Sequence, residues 1–95
     1  MKNDTITLYE AIKQMRRFSQ IGRPFSFVHA TYNYSTKKTS GIRRVSRAKL
    51  RPAASGDNVV NADYKLFYYD ETIDENRVCW QMLILYFNDQ RVVLN

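Results

Sequence analysis

Phe18-Ser19-Gln20-Ile21-Gly22-Arg23-Pro24-Phe25-Ser26-Phe27-Val28 is where this 95-residue chain changes its period. Before Gly22, the residues Leu8, Ile12, Met15 and either Phe18 or Ser19 recur at helical spacing and form one apolar stripe. Glu10, Lys13, Gln14, Arg16 and Arg17 cover the rest of that helix. Gly22 supplies a left-handed stop and Pro24 forbids continuation. After Pro24 the period is two. Phe25 and Phe27 point one way, and Val28, Ala30, Tyr32 and Tyr34 the other. Apolar residues on both faces call for a bulge or a sheet that bends. A helix handing over to strands in this way makes the chain α+β.

Upstream, Thr7-Leu8-Tyr9-Glu10 fits a capping box, which starts the helix and places it at about residues 8 to 20. Downstream, residues 35 to 41 form a polar tip carrying Lys37 and Lys38. Residues 42 to 51 read as a strand, with a short helix through Ile42, Val45 and Lys49 as the alternative. As a strand, Arg43, Val45, Arg47, Lys49 and Arg51 share one face. Residues 52 to 62 read as a loop, with Val59-Val60 folding back on the core. Residues 64 to 69 are strand-like, 70 to 76 form an acidic turn, and 78 to 87 read as one long strand. Asn88-Asp89 is a two-residue hairpin turn leading into Arg91-Val92-Val93-Leu94. The expectation is a single domain over residues 1–95. Its N-terminal helix precedes a four- to five-stranded antiparallel sheet, curled as a small SH3-like or split barrel, with an OB-like barrel as second choice.

Composition narrows the function. Forty-four per cent hydrophobic and 25% charged residues, with three Gly and two Pro, exclude a disordered tail or a fibre. The longest apolar run, residues 82 to 87, is too short for a membrane span, and no signal peptide is visible, so a soluble cytoplasmic chain is expected. One Cys and one His exclude an internal disulfide and the usual Cys/His metal cages. The net charge of +6 is uneven: residues 1 to 51 carry twelve basic and two acidic side chains, residues 52 to 95 three and seven. Such a chain suits a polyanion, or an acidic patch on a neighbouring protein, including another copy of itself.

Catalysis finds little support, and no enzyme activity, cofactor or small-molecule substrate is expected. His29 lies in an apolar strand and reads as structural; Cys79 reads as a small buried hydrophobe. Asp70, Glu71, Asp74 and Glu75 match no cation-loop spacing and read as an exposed acidic turn. Arg23-Pro24-Phe25-Ser26-Phe27-Val28 partly resembles the aromatic strand motif of RNA-recognition domains. Pro24 stands where a glycine belongs, however, and Ala30 where an aromatic does, so Phe25 and Phe27 read as core. The strongest candidate contact surface is the row Arg43, Arg47, Lys49 and Arg51, with Lys37 and Lys38 on the tip; the plain alternative is a solvated or aggregation-resistant strand face. The turn at Asp70, Glu71, Asp74 and Glu75 is a counter-surface for it in a ring of copies.

Thr7-Leu8-Tyr9-Glu10-Ala11-Ile12, Gln14-Met15-Arg16, Gly22, Pro24-Phe25-Ser26-Phe27, Ala48, Leu50-Arg51 and the ending Tyr86 to Val92 carry a resemblance. The chain resembles small uncharacterised proteins of tailed phages and integrated elements of gut Bacteroides-type bacteria. The resemblance implies a phage context and assigns no site. In that context the first expectation is a virion assembly part, such as a head-to-tail connector or stopper in a ring. Its partners would be other virion proteins or copies of itself, and it would be found in the host cytoplasm and then the virion. The second is a non-enzymatic nucleic-acid-binding module of the phage or mobile element.

Overall fold

The computed structural model describes residues 4–33, 36–53 and 60–94. Helix α1 (Leu8–Gln20) has the expected bounds. Thr7 Oγ1 accepts the Glu10 N–H at 3.2 Å, and the Glu10 carboxylate accepts from Gln14 Nε2 at 3.3 Å one turn later. At the other end, the Arg23 N–H donates to Phe18 O at 2.8 Å across Gly22, whose φ of +73° closes the helix in a left-handed turn. The apolar stripe buries Ala11, Ile12 and Met15. Ser19 Oγ donates to Met15 O and accepts the Leu50 N–H at 2.9 Å, tying the last turn to the sheet.

The strands are β1 (Thr5–Thr7), β2 (Phe25–Asn33), β3 (Lys38–Leu50), β4 (Lys65–Asp70), β5 (Glu75–Trp80), β6 (Ile84–Phe87) and β7 (Gln90–Val93). They form one sheet in the order β1-β7-β6-β2-β3-β4-β5, which is not closed. The helix-then-sheet α+β arrangement is as the sequence indicates, but the sheet has seven strands and is mixed. β1 runs parallel to β7, with Thr5 opposite Arg91. Three residues are too few to display a period, which is why β1 escapes a reading of the sequence. The apolar run 78 to 87 is not one strand. A 3₁₀ turn at Gln81–Leu83 divides it, and the Gln81 amide holds that turn by donating to Asp63 O and Lys65 O at 3.3 and 3.0 Å. β5 and β6 lie on opposite sides of a five-strand stretch yet are joined by those three residues, so the sheet must curl. Asn88 and Asp89 both have positive φ, +46° and +70°, the pairing of a type I′ hairpin.

Residues 54–59, including Val59, lie outside the described residues; Val60 is exposed and does not fold back on the core. The core is aromatic at its centre. Phe27, Tyr68, Phe87 and Met15 are fully buried, and Phe27 meets Tyr68 edge-on at 4.9 Å between centroids. Phe25 and Phe27 are core residues, as expected.

One irregularity decides where the cations go. Phe27 pairs with Val45 and Phe25 with Ala48, so the single residue Ser26 of β2 opposes two of β3, Ser46 and Arg47. The extra residue at Ser46-Arg47 is a β-bulge, and it switches the side-chain alternation. Val45 on one side of it and Ala48 on the other are both buried. Arg43 therefore shares the core face with Val45, while Arg47, Lys49 and Arg51 project from the opposite face. The continuous row of four cations expected from strict alternation does not exist.

A candidate cationic cleft

His29 sits on the core face of β2, 3% exposed, opposite Arg43 of β3. Its Nδ1 lies 3.0 Å from Ala30 O, which can only accept, so Nδ1 carries the proton. Nε2 then accepts from the Tyr68 hydroxyl at 3.0 Å. Burial holds the imidazole below its ordinary pKa, the Ala30 bond opposes this, and Arg43 and Arg77 lower it further. Burial also pushes the Tyr68 phenol and the Cys79 thiol up. These directions leave the imidazole, phenol and thiol of the floor uncharged at neutral pH.

Above that floor opens a cleft of about 400 Å³, within the ~300–1,000 Å³ range of ligand sites. Three cationic residues line it: Arg43 from β3, Lys65 from the start of β4 and Arg77 from β5. Tyr32 and Trp80 contribute rings, and among the described residues no carboxylate side chain is in its lining. Lys65 is 6% exposed, with Nζ 5.0 Å from the Trp80 ring centroid. Arg77 holds Glu75 at 2.8 Å through one terminal nitrogen, while its Nε is buried with no hydrogen-bond partner among the described residues. A buried donor without an acceptor costs about 1–3 kcal/mol unless something else supplies one. Tyr32 and Trp80 also border a second, more apolar hollow of about 660 Å³, completed by Lys37, Asn61, Tyr64, Met82 and Leu83.

The residues singled out in the sequence divide sharply. Arg43 lines the cleft and Lys37, with φ +56°, borders the hollow; Lys38 is exposed at the start of β3. Arg47 and Lys49 instead meet Glu71 of their own chain, at 3.2 and 3.1 Å. The Lys49 ammonium, and after it Arg47, hold the Glu71 carboxyl below its usual range. Arg51 is a structural residue. Its Nε donates to Tyr68 O at 3.0 Å, its terminal nitrogens to Pro52 O and Arg77 O, and its guanidinium lies 5.8 Å from the Phe67 ring centroid.

The acidic group divides too. Asp70 is not an exposed counter-surface: it is 4% exposed and its carboxylate accepts the Thr72 N–H at 3.0 Å, the short-range bond that shapes the turn. Glu75 pairs with Arg77, and Asp74 is exposed with φ +55°. The two charged halves of the sequence thus meet within one chain. Among the described residues no three His, Cys, Asp or Glu side chains gather as metal ligands, and no helix is long and apolar enough to cross a membrane.

No family model, curated protein or solved structure matches the chain.

Lys65 and Arg77 are the residues that strand alternation overlooks. One signal pointed to the first of them: the acidic half holds only three cations, Lys65, Arg77 and Arg91, and Lys65 stands between Tyr64 and Leu66-Phe67-Tyr68. A cation placed among Leu, Phe and Tyr is costly unless paired or used.

Proposed function

We propose that this protein is a non-enzymatic nucleic-acid-binding module, acting in the phage or mobile-element context that its sequence suggests. The observation that carries the reading is the convergence of Arg43, Lys65 and Arg77 with Tyr32 and Trp80 around a cleft whose lining has no acid among the described residues. Guanidinium groups match phosphate oxygens through their forked donors, and adjoining rings suit unpaired bases. The expected basic row supports it less, because Arg47 and Lys49 share Glu71 and Arg51 is bonded to carbonyls, whereas Arg77, though paired with Glu75 through one terminal nitrogen, keeps a buried Nε without a partner among the described residues. The strand order β6-β2-β3-β4-β5, with a 3₁₀ turn linking β5 back to β6, supports the small SH3-like barrel as the underlying architecture. Barrels of this size present a curved face to a strand-like ligand.

A second reading, a virion assembly component working by protein contact, draws on one observation. β5 is a sheet edge, and Val78 on it is 39% exposed, so a neighbouring copy or virion protein could add a strand there.

Titration with labelled single- and double-stranded DNA at two salt concentrations, with light scattering on the same samples, separates the two. The nucleic-acid reading expects a monomer whose binding falls steeply with salt. Arg43→Gln and Arg77→Gln should each reduce the log–log salt slope by about 0.7 per lost single-strand phosphate contact. Absence of binding at low salt refutes it, and rings formed without DNA would then favour assembly.

A further inference from the structure

We infer that the cleft and the apolar hollow form one two-part subsite for a single unpaired nucleotide. The phosphate sits among Arg43, Lys65 and Arg77, and the base lies in the hollow against Tyr64 and Met82. The inference rests on the nucleic-acid reading and goes beyond it by stating what is recognised: an unstacked base together with its phosphate, not the backbone alone.

Three observations carry it. The two cavities are neighbours that share a wall, since Tyr32 and Trp80 line both. Their chemistries are complementary halves of a nucleotide, because three cations converge in one, while Tyr64, Met82 and Leu83 line the other, with Lys37 and Asn61 at its border. The apolar half is also open to solvent: Tyr64 is 64% and Met82 66% exposed, side by side in one hollow. Neighbouring exposed apolar groups beside concentrated positive charge call for an occupant that is apolar at one end and anionic at the other. A duplex cannot supply this, because its bases face each other inside the stack. An unpaired base can, since its flat face stacks on rings and its phosphate lies one sugar away.

The chain offers its own reporter. Trp80 is the only tryptophan, and it stands at the junction of the two cavities. The experiment compares a 20-nucleotide oligo-dT with an abasic deoxyribose-phosphate 20-mer, matched in charge and lacking bases, by anisotropy and by Trp80 emission. Tyr64→Ala and Met82→Ala truncate exposed side chains outside the core, and each variant is checked for an unchanged unfolding midpoint. The expected result is oligo-dT binding about 5- to 150-fold tighter than the abasic polymer, the range for one stacked base. Trp80 emission should change with oligo-dT alone, and Tyr64→Ala should remove most of the difference while leaving abasic binding as it was. Equal, salt-sensitive affinity for both polymers with unaltered emission would overturn the two-part subsite and leave the nucleic-acid reading standing. No binding of either polymer at low salt would overturn both.

Discussion

Tyr68→Phe removes one oxygen from the middle of the core and tests the floor of the cleft directly. The Tyr68 hydroxyl donates to His29 Nε2 at 3.0 Å, and both residues are buried. With the hydroxyl gone, Nε2 remains buried without its donor, which costs about 1–3 kcal/mol. A chain of this size unfolds in urea with an m-value of about 1.5 kcal/mol/M, so the midpoint should fall by roughly 0.7–2 M at pH 7.5 with m unchanged. Tyr86→Phe, at a half-exposed ring, is the control and should leave the midpoint where it is. A second consequence follows from the direction of the proton. The hydroxyl stabilises neutral imidazole, so its removal lets His29 ionise more readily in the folded state, and the variant should lose less stability on acidification than the wild type. A midpoint drop below about 0.3 M, or an unchanged acid profile, would refute the bond and the tautomer assigned from it.

Further outcomes can be checked with the same equipment. Because His29 is held below its ordinary pKa when folded, the unfolded chain binds the proton first. Stability should therefore be full above pH ~6.5 and fall by up to about 1.4 kcal/mol per unit below it until folded His29 ionises; a His29→Gln variant should lack this component. Asp89→Gly should raise stability by up to ~1 kcal/mol, since Asp89 holds φ +70°. Asn88→Gly should instead lower it by about 1 kcal/mol, because Asn88 Oδ1 accepts from both the N–H and the hydroxyl of Ser26. Arg51→Lys keeps the charge but loses the fork that reaches Tyr68 O, Pro52 O and Arg77 O. It should cost about 1–3 kcal/mol by thermal or urea unfolding.

How far the sequence could be read depended on whether the information was local. The helix and its two ends were legible because Thr7, Glu10, Gly22 and Pro24 act within a turn of where they stand. The Asn88-Asp89 hairpin was legible for the same reason. The break at Gln81–Leu83 was not, since it depends on the Gln81 amide reaching two carbonyls some sixteen and eighteen positions back. The site fared worst because alternation fails at a single residue. The bulge at Ser46-Arg47 changes which cations face inward, and nothing in Arg44-Val45-Ser46-Arg47 announces it. Arg43 was selected for a row that does not form and found in a cleft instead. Lys65 carried a signal in its apolar neighbours, but its meeting with Arg77 and Arg43 depends on β4 and β5 curling back over β2.

The parallel pairing of β1 with β7 also bears on how the fold responds to tension. A load applied at residues 4 and 94 enters β1 at its start and leaves β7 at its end, so it slides the two strands along each other. The three pairs Thr5 with Arg91, Ile6 with Val92 and Thr7 with Val93 then share the load and must yield together. An antiparallel hairpin such as β6–β7 pulled by its open ends would instead unzip one pair at a time. Since Arg91 also donates its N–H to Asp4 O at 2.9 Å, the clamp extends to the edge of the described chain. The helix and the curled sheet behind it are thus shielded from force along this line until that short clamp gives way.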